Sequence, residues 1–111
     1  MDGYQIIITP DAESDLIELR NYISDVLMAR DTARSYVRAI REEIAALNEM
    51  PARYKAVDLE PWRSRGIRRV MAKNFYIYYR VEEKSKQVFI LNIIYARRDQ
   101  LQILERMNTD G

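Results

Sequence analysis

The segment Ile67–Val81, with the sequence IRRVMAKNFYIYYRV, determines the predicted fold class. Its first part, Ile67–Ala72, is largely apolar and predicts a strand. Lys73 and Asn74 follow, and asparagine tolerates the left-handed backbone of a tight turn. Phe75–Val81 then alternates between an apolar face and an amphipathic face, which is the period of a β-strand. The segment therefore predicts a β-hairpin with one face packed on a core.

Two further strands are predicted outside this hairpin. Residues Gln87–Tyr95 are apolar on both faces, as expected of a central strand. Tyr4–Ile8 is short, β-branched and apolar, which indicates a buried strand near the start of the chain. Residues 52–66 are mixed polar residues with proline and glycine, so they predict mostly loop, with a short strand near 56–59.

Two amphipathic helices are predicted between the first strand and the hairpin. Thr9 supplies a hydroxyl cap for a helix over about 10–28, whose apolar side chains recur at spacings of four and three. Asp31 is the predicted cap of the second helix, which repeats this spacing and stops at Met50 before a proline. Because the connection is short, the two helices are expected to lie antiparallel as a helical hairpin.

The tail completes the element order. Asp99–Met107 predicts an optional short helix that packs through Leu101 and Leu104. The order β-α-α-β-β-β defines an α+β fold in which a helical hairpin packs on a three- to four-stranded antiparallel sheet. The length of 111 residues is that of one domain, 1–111.

The composition excludes most enzyme chemistries. The chain has no cysteine and no histidine, so a disulfide, a zinc-thiolate site, a cysteine nucleophile and a Ser-His-Asp relay are all impossible. Three glycines cannot form a dinucleotide fingerprint or a P-loop. No cofactor and no metal are therefore expected. The chain shows neither a secretory signal pattern nor an apolar run of membrane-spanning length, so we expect a cytoplasmic location and no membrane partner.

Charge is distributed unevenly along the chain. Residues 1–50 have a net charge of −5 and residues 51–111 a net charge of +6. Arginine pairs bidentately with phosphate or carboxylate, so the basic half predicts a surface for a polyanionic or acidic partner. We expect these guanidinium groups to converge on one exposed side of the molecule. The arginines concerned are Arg63, Arg65, Arg68, Arg69, Arg80, Arg97 and Arg98.

Several segments together resemble the RelE/ParE superfamily of bacterial toxins. They are Tyr4–Pro10 (YQIIITP), Gly66–Arg69 (GIRR), Phe75–Val81 (FYIYYRV) and Ile93–Asp99 (IIYARRD). The resemblance spans nearly the whole chain, and its order and spacing are more specific than any single motif. It implies a toxin, or plasmid stabilisation protein, of a type II toxin–antitoxin pair, silenced by a cognate antitoxin that wraps it.

Two activities occur in this superfamily, and the resemblance leaves both open. RelE-like members cut mRNA in the ribosomal decoding site, whereas ParE-like members inhibit DNA gyrase. Arg97 matches a catalytic arginine of the nucleases, and Arg68 or Arg69 approximates their basic strand positions. Tyr76 stands where they carry another catalytic arginine, and Tyr95 stands where some relatives have histidine. The charge-stabilising groups are thus present without an evident proton-transfer group, so the ParE-like function is favoured.

The resemblance assigns the following candidate residues. If the chain is a metal-independent endoribonuclease, the catalytic residues are Arg68, Arg80, Arg97 and Tyr95. For the target or the antitoxin, the binding residues are Arg68, Arg69, Tyr76, Tyr78, Arg80, Arg97 and Arg98. Tyr76 and Tyr78 share a strand face with Arg80 and are candidates for stacking on bases, or alternatively for covering the sheet against a helix or tail. Trp62 is predicted to cover the core.

Three functions follow. The favoured one is a toxin that inhibits DNA gyrase through protein–protein contact. The first alternative is a ribosome-dependent mRNA endoribonuclease, and the second is a nontoxic basic module that binds nucleic acid or an acidic protein. In either toxin function, an acidic or amphipathic antitoxin segment is expected to cover the arginines.

Overall fold

The structure is a computed structural model that describes residues 3–110. Residues 1, 2 and 111, which the predicted domain includes, lie outside the described residues. The described chain contains four strands and three α-helices. In chain order they are β1 (Gln5–Ile8), α1 (Pro10–Asn21), α2 (Arg30–Ala46), β2 (Ile67–Ala72), β3 (Phe75–Glu82), β4 (Gln87–Tyr95) and α3 (Gln100–Arg106).

The four strands form one mixed sheet in the order β1-β4-β3-β2. The pairs β2–β3 and β3–β4 are antiparallel as predicted, but β1 pairs with β4 in parallel. The prediction of a wholly antiparallel sheet is therefore wrong at this edge. The helical hairpin returns the chain to the end of the sheet where β1 begins, and there the amide of Tyr4 donates to the carbonyl of Asn48 at 2.8 Å. β2 starts from that same end of the sheet, so it runs in the direction of β1. β3 is antiparallel to both β2 and β4, so β4 runs in this direction as well.

Both faces of the sheet are covered. The larger apolar cluster lies between the helical hairpin and the sheet, and it includes Leu16, Ile40 and Ile77. A smaller cluster on the opposite face joins α3 and the long loop before β2, and it includes Trp62, Tyr78 and Leu104. Trp62 is 7% exposed, so its predicted role as a cover of the core is confirmed. The expected amphipathic face of β3 is therefore a second core and not an open surface.

The hairpin that determined the fold forms as predicted. Lys73 and Asn74 have φ values of 51° and 67°, the left-handed pair that a two-residue turn requires. The neighbouring loop differs from the prediction, because the expected strand near 56–59 is reduced to one bridge between Ala56 and Arg68.

The helices depart from the prediction at the end of the first, at the cap of the second and in the packing of the third. The first helix stops at Asn21 and continues as a π-helical turn, Tyr22–Val26, instead of remaining α-helical to residue 28. Asp31 lies inside the first turn of α2 and does not cap it. Asp99 does cap α3, but Leu101 is 45% exposed, so this helix is buried through Leu104.

Asp15 joins α1 to an irregularity in β4. The register between β3 and β4 shifts after Tyr78, which opposes Asn92. One oxygen of the Asp15 carboxylate accepts from Asn92 Nδ2 and from the amide of Ile93, both at 2.9 Å. Burial raises the pKa of Asp15, and these hydrogen bonds oppose that shift without cancelling it.

We expect Asp15→Asn to make stability less dependent on pH. Because the folded carboxyl holds its proton to a higher pH than the unfolded one, the stability it contributes is present below its ordinary pKa of 3.8 and is lost as the pH rises through the raised folded value. Urea unfolding from about pH 3 to about pH 7 should therefore show the variant gaining stability relative to the natural chain. The exposed residue Asp25 provides the control Asp25→Asn. An Asp15→Asn difference that stays constant over this range contradicts the expectation.

Candidate functional site

The structure divides the predicted arginines between the two faces of the sheet. Arg68 opposes Tyr79 in the β2–β3 register, so it lies on the face that the helical hairpin covers. Arg69 opposes Tyr78, and Arg80 opposes Ile67, which places both on the other face. The expectation that all the guanidinium groups converge on one exposed side is therefore wrong. Successive residues of a strand point to opposite faces, so adjacent Arg68 and Arg69 cannot share one.

Arg68 stabilises the loop that precedes β2 through hydrogen bonds. Its Nη1 donates to the carbonyl oxygens of Tyr54 and Ala52, at 2.5 and 3.4 Å. The hydroxyl of Tyr79 donates to the carbonyl of Pro51 at 2.6 Å, in the same loop. The Nε of Arg68 is buried and has no hydrogen-bond partner within residues 3–110. This arginine is thus engaged with backbone atoms rather than presented to solvent.

Tyr78 is fully buried under α3. Its hydroxyl donates to Gln100 Oε1 at 2.6 Å and accepts from Arg69 Nη1 at 3.2 Å. Burial raises the pKa of Tyr78, and the Arg69 guanidinium only partly offsets this effect. Arg69 in turn stacks over the ring of Tyr76, with 4.0 Å between its Cζ and the ring centroid. In this conformation Tyr78 cannot stack on a base, because α3 occupies that space.

Arg80 is enclosed by the C-terminal tail. Its Nε donates to the carbonyl of Thr109 at 3.0 Å and its Nη2 to the carbonyl of Asp110 at 2.8 Å. Nη1 pairs with Glu82 at 2.8 Å, and the guanidinium lies 4.7 Å from the ring centroid of Phe89. All the nitrogens of this guanidinium are therefore committed to contacts within the chain.

Arg97 and Arg98 are presented differently, on a fixed exposed loop between β4 and α3. Both are exposed, and neither forms an ion pair within the described part of the chain. Gln100 Nε2 donates to the carbonyls of Arg98 at 2.7 Å and Tyr95 at 3.1 Å, and the amide of Ala96 donates to Asn74 at 2.9 Å. The loop therefore holds two exposed cations in a defined position.

A cleft of about 650 Å³ lies beside this loop. Lys73 and Arg98 supply its basic side, and Asp15 and Glu18 on α1 supply an acidic side. Tyr95 also lines the cleft; it is 41% exposed, and its ring centroid lies 5.6 Å from that of Phe75. Apolar side chains complete the lining and extend onto exposed residues at the tip of the helical hairpin. These residues are Leu19, Tyr22, Ile23, Leu27, Tyr36, Phe75 and Ile93 in the cleft, and Val26 and Met28 at the tip.

The candidate site is thus the Arg97–Arg98 loop together with this cleft. Of the predicted residues, it contains Arg97, Arg98 and Tyr95, whereas Arg68 and Arg80 are held in structural contacts. Gln100, which fixes the loop, and Asp15, which lines the cleft, were not among the predicted residues. Their signal in the sequence was weak, because a single amide or carboxylate on a helix is usually solvated.

Within residues 3–110, no group of three acidic side chains is arranged to hold a metal ion. No helix in that same part of the chain is both long and apolar enough to cross a membrane.

We expect Tyr78→Phe to destabilise the protein by about 1–3 kcal/mol, because it leaves the half-buried Oε1 of Gln100 without its donor. Tyr76→Phe is the matched control on the same strand face, since the Tyr76 hydroxyl has no hydrogen-bond partner among the residues that the structure describes. Urea unfolding of the two variants measures the difference. Equal stabilities would show that the Tyr78–Gln100 hydrogen bond contributes nothing to holding α3.

Solved structures of bacterial toxins share this architecture. A chain of the chromosomal ParDE toxin–antitoxin system of P. aeruginosa aligns with a TM-score of 0.71 at 22% identity, covering 87% of this chain and all of that one. A chain of the Mycobacterium tuberculosis RelBE2 toxin–antitoxin complex aligns with a TM-score of 0.61 at 21% identity, covering 84% and 98%. A free-state mutant of the E. coli RelE toxin aligns with a TM-score of 0.64 at 12% identity, covering 94% and 97%. At these identities the likeness establishes the fold.

Sequence comparison identifies the family. No curated protein matches the chain. The profile of the family described as "ParE toxin of type II toxin-antitoxin system, parDE" matches residues 6–100. The helical hairpin and the mixed sheet are therefore those of a type II toxin. The chain belongs to the ParE toxin family, and the predicted RelE/ParE resemblance is confirmed.

Proposed function

We propose that this toxin arrests growth by inhibiting DNA gyrase through protein–protein contact, and that it acts in the cytoplasm. The family match to ParE supports the proposal, because the activity that the resemblance implies for ParE-like members is gyrase inhibition. The observation that carries it is the presentation of Arg97 and Arg98 on a fixed loop beside an apolar cleft.

The loop and the cleft together have the character of a protein-binding surface. The cleft combines apolar side chains with the basic Lys73 and Arg98 and the acidic Asp15 and Glu18. Protein interfaces usually combine apolar and charged side chains, and arginine and tyrosine supply much of the binding energy. The proposed gyrase contact therefore places an acidic surface of the target against Arg97, Arg98 and Lys73, with an apolar side chain in the cleft.

The chemistry of the remaining groups argues against RNA cleavage. Such cleavage needs a group that takes a proton from the 2′-hydroxyl, and this chain has no histidine. Burial raises the pKa of Tyr78, and it raises the pKa of Tyr79 to about 12, so neither phenol acts as a base near neutral pH. Arg80, a candidate for stabilising the transition state, is bound by the tail. Neither of these two phenols therefore serves the arginines as a proton-transfer partner.

The cognate antitoxin is proposed to cover the same surface. An acidic or amphipathic segment that binds the Arg97–Arg98 loop would neutralise its charge and fill the cleft at once. Blocking the target in this way requires no change in the fold of the toxin.

Induction of the chain in bacteria, without an antitoxin, tests this function. We expect growth arrest with altered plasmid supercoiling and intact transcripts. Codon-phased cuts in mRNA with unchanged plasmid topology would overturn the proposal in favour of a ribosome-dependent nuclease. Healthy growth at strong expression of soluble protein would contradict toxicity itself and would favour a nontoxic binding module.

A further inference from the structure

Gln100, the first residue of α3, forms hydrogen bonds from both ends of its side-chain amide. Its Nε2 donates to the carbonyls of Arg98 at 2.7 Å, Tyr95 at 3.1 Å and Ala96 at 3.4 Å. Its Oε1 accepts from the hydroxyl of Tyr78 at 2.6 Å. This single amide therefore connects the exposed Arg97–Arg98 loop to a tyrosine that is fully buried.

The loop is held only when this amide points one way. A carbonyl oxygen accepts hydrogen bonds and cannot donate one, so the end of the amide that faces the loop must be its NH2 group. In the reversed orientation, the amide oxygen of Gln100 would face three carbonyl oxygens, and every hydrogen bond to the loop would be lost. The position of the loop thus depends on what fixes the orientation of the amide.

Arg69 fixes that orientation through Tyr78. A guanidinium group has only donors, so the Nη1 of Arg69 makes the Tyr78 oxygen an acceptor, at 3.2 Å. The phenolic proton is then directed to Gln100, the other hydrogen-bond partner of the hydroxyl among the residues that the structure describes. Without Arg69, the same hydroxyl could equally well accept from the NH2 group of a reversed amide.

Packing on the sheet holds Arg69 beside the phenol. Arg69 opposes Tyr78 in the β2–β3 register, so the two side chains are neighbours on one face. The guanidinium also stacks on Tyr76, with its Cζ 4.0 Å from the ring centroid. The rings of Tyr76 and Tyr78 are themselves 6.1 Å apart between centroids. The guanidinium is therefore placed by two aromatic neighbours on β3.

We propose that Arg69, Tyr78 and Gln100 form a positioning relay for the Arg97–Arg98 loop. Arg69 is a positioning residue, because it acts on the loop through Tyr78 and Gln100. The consequence of the relay for inhibition rests on the function proposed above, in which the loop contacts gyrase. The relay itself is a property of the toxin alone, and it is measured without any target.

Gln100→Glu tests the link between the amide and the loop. The carboxylate keeps an acceptor for Tyr78 but has no donor for the loop carbonyls. Gln102→Glu is the matched control, because it adds the same charge to α3 at an exposed position. Backbone ¹⁵N relaxation of the full chain should give order parameters for residues 96–98 of about 0.85 in the natural chain and the control. We expect values below about 0.6 in Gln100→Glu, with α3 unchanged.

Arg69→Met tests the role of Arg69, since methionine keeps an apolar contact with Tyr76 and removes the donor. The side-chain NH2 signals of Gln100 should broaden and the order parameters of residues 96–98 should fall, as the amide takes both orientations. Arg69→Lys retains a donor and should lie closer to the natural chain. The control is Arg65→Met, at an exposed position.

Inhibition of plasmid supercoiling provides the functional measurement. A mobile loop must be ordered on binding, so Gln100→Glu and Arg69→Met should need at least about tenfold more protein for half-inhibition than their controls. Loosening of the loop in these variants supports the relay even if the natural chain leaves gyrase active, a result that contradicts only the proposed target.

Three results would overturn the relay. An ordered loop in Gln100→Glu would show that the amide does not hold it, and equal loosening of the loop and α3 would reduce Gln100 to a general structural contact. Unchanged Gln100 side-chain signals in Arg69→Met would remove Arg69 from the relay. Gln100→Met also lacks the donors and replaces Gln100→Glu if the added charge prevents folding.

Discussion

The double variant Arg97→Ala/Arg98→Ala is expected to lose growth inhibition while retaining its fold. An arginine at the centre of an interface typically contributes about 2 kcal/mol or more to binding, so the concentration needed for half-inhibition of the target should rise at least about 30-fold. Both side chains are exposed and form no ion pair between residues 3 and 110, so the free energy of unfolding should change by less than about 0.5 kcal/mol.

The matched control for this variant is Arg65→Ala/Arg106→Ala, which removes two exposed arginines away from the loop and the cleft. Growth on induction and urea unfolding of the purified proteins separate function from stability. Undiminished toxicity of the Arg97/Arg98 variant would show that the active surface lies elsewhere. Equal loss of toxicity in the control would show that only overall charge matters.

Arg68→Ala is expected to have the opposite pattern, a large loss of stability with little loss of inhibition by the protein that remains folded. The substitution removes the donor to the carbonyls of Tyr54 and Ala52 and frees the loop before β2. Hydrogen bonds from a charged donor contribute about 1.5–3 kcal/mol, and for a domain of this size that loss corresponds to roughly 5–20 °C in Tm.

Thermal unfolding followed by a target-inhibition assay at a temperature where the variant is folded distinguishes the two roles of Arg68. The control is Arg65→Ala. Arg65 is exposed and lies on the loop before β2, so this variant should unfold at the same temperature as the natural chain. A normal Tm with abolished inhibition would restore Arg68 to the functional surface that the resemblance implies.

The fold could be predicted because its determinants are local. The turn at Lys73 and Asn74, the apolar spacing of the two helices and the two-sided β4 each fix one element, and together they fix the element order. The parallel pairing of β1 with β4 depends on where the helical hairpin returns the chain, and no short segment encodes that path.

The candidate site could be predicted only in part, because the role of each arginine depends on distant residues. Arg80 looks available in the sequence, yet it is bound by backbone atoms of Thr109 and Asp110, about thirty residues away. The alternation along β3 assigns Tyr78 to an amphipathic face of the strand. In the structure α3 covers this tyrosine, and its hydroxyl donates to Gln100. Arg97 and Arg98 were named because they stand in the segment Ile93–Asp99 that carries the resemblance, and the structure adds that both are exposed on a fixed loop.

Net charge along the sequence was a poor guide to charge on the surface. The first fifty residues carry a net −5, yet the helical spacing brings Arg20, Arg34, Arg38 and Arg41 together on the surface of the helical hairpin. The acidic Glu18 lies away from them and lines the cleft. The charge on a helix surface depends on the helical period, and a sum of charges along the sequence does not take that period into account.

Direct assay of purified DNA gyrase tests the central claim, that the Arg97–Arg98 loop disables gyrase by binding. The natural chain, its Arg97→Ala/Arg98→Ala variant and the Arg65→Ala/Arg106→Ala control are titrated into a plasmid supercoiling reaction that contains no ribosomes. We predict that the natural chain and the control inhibit supercoiling and that the loop variant needs at least about 30-fold more protein to do so. Full supercoiling activity in the presence of folded natural chain would contradict the account.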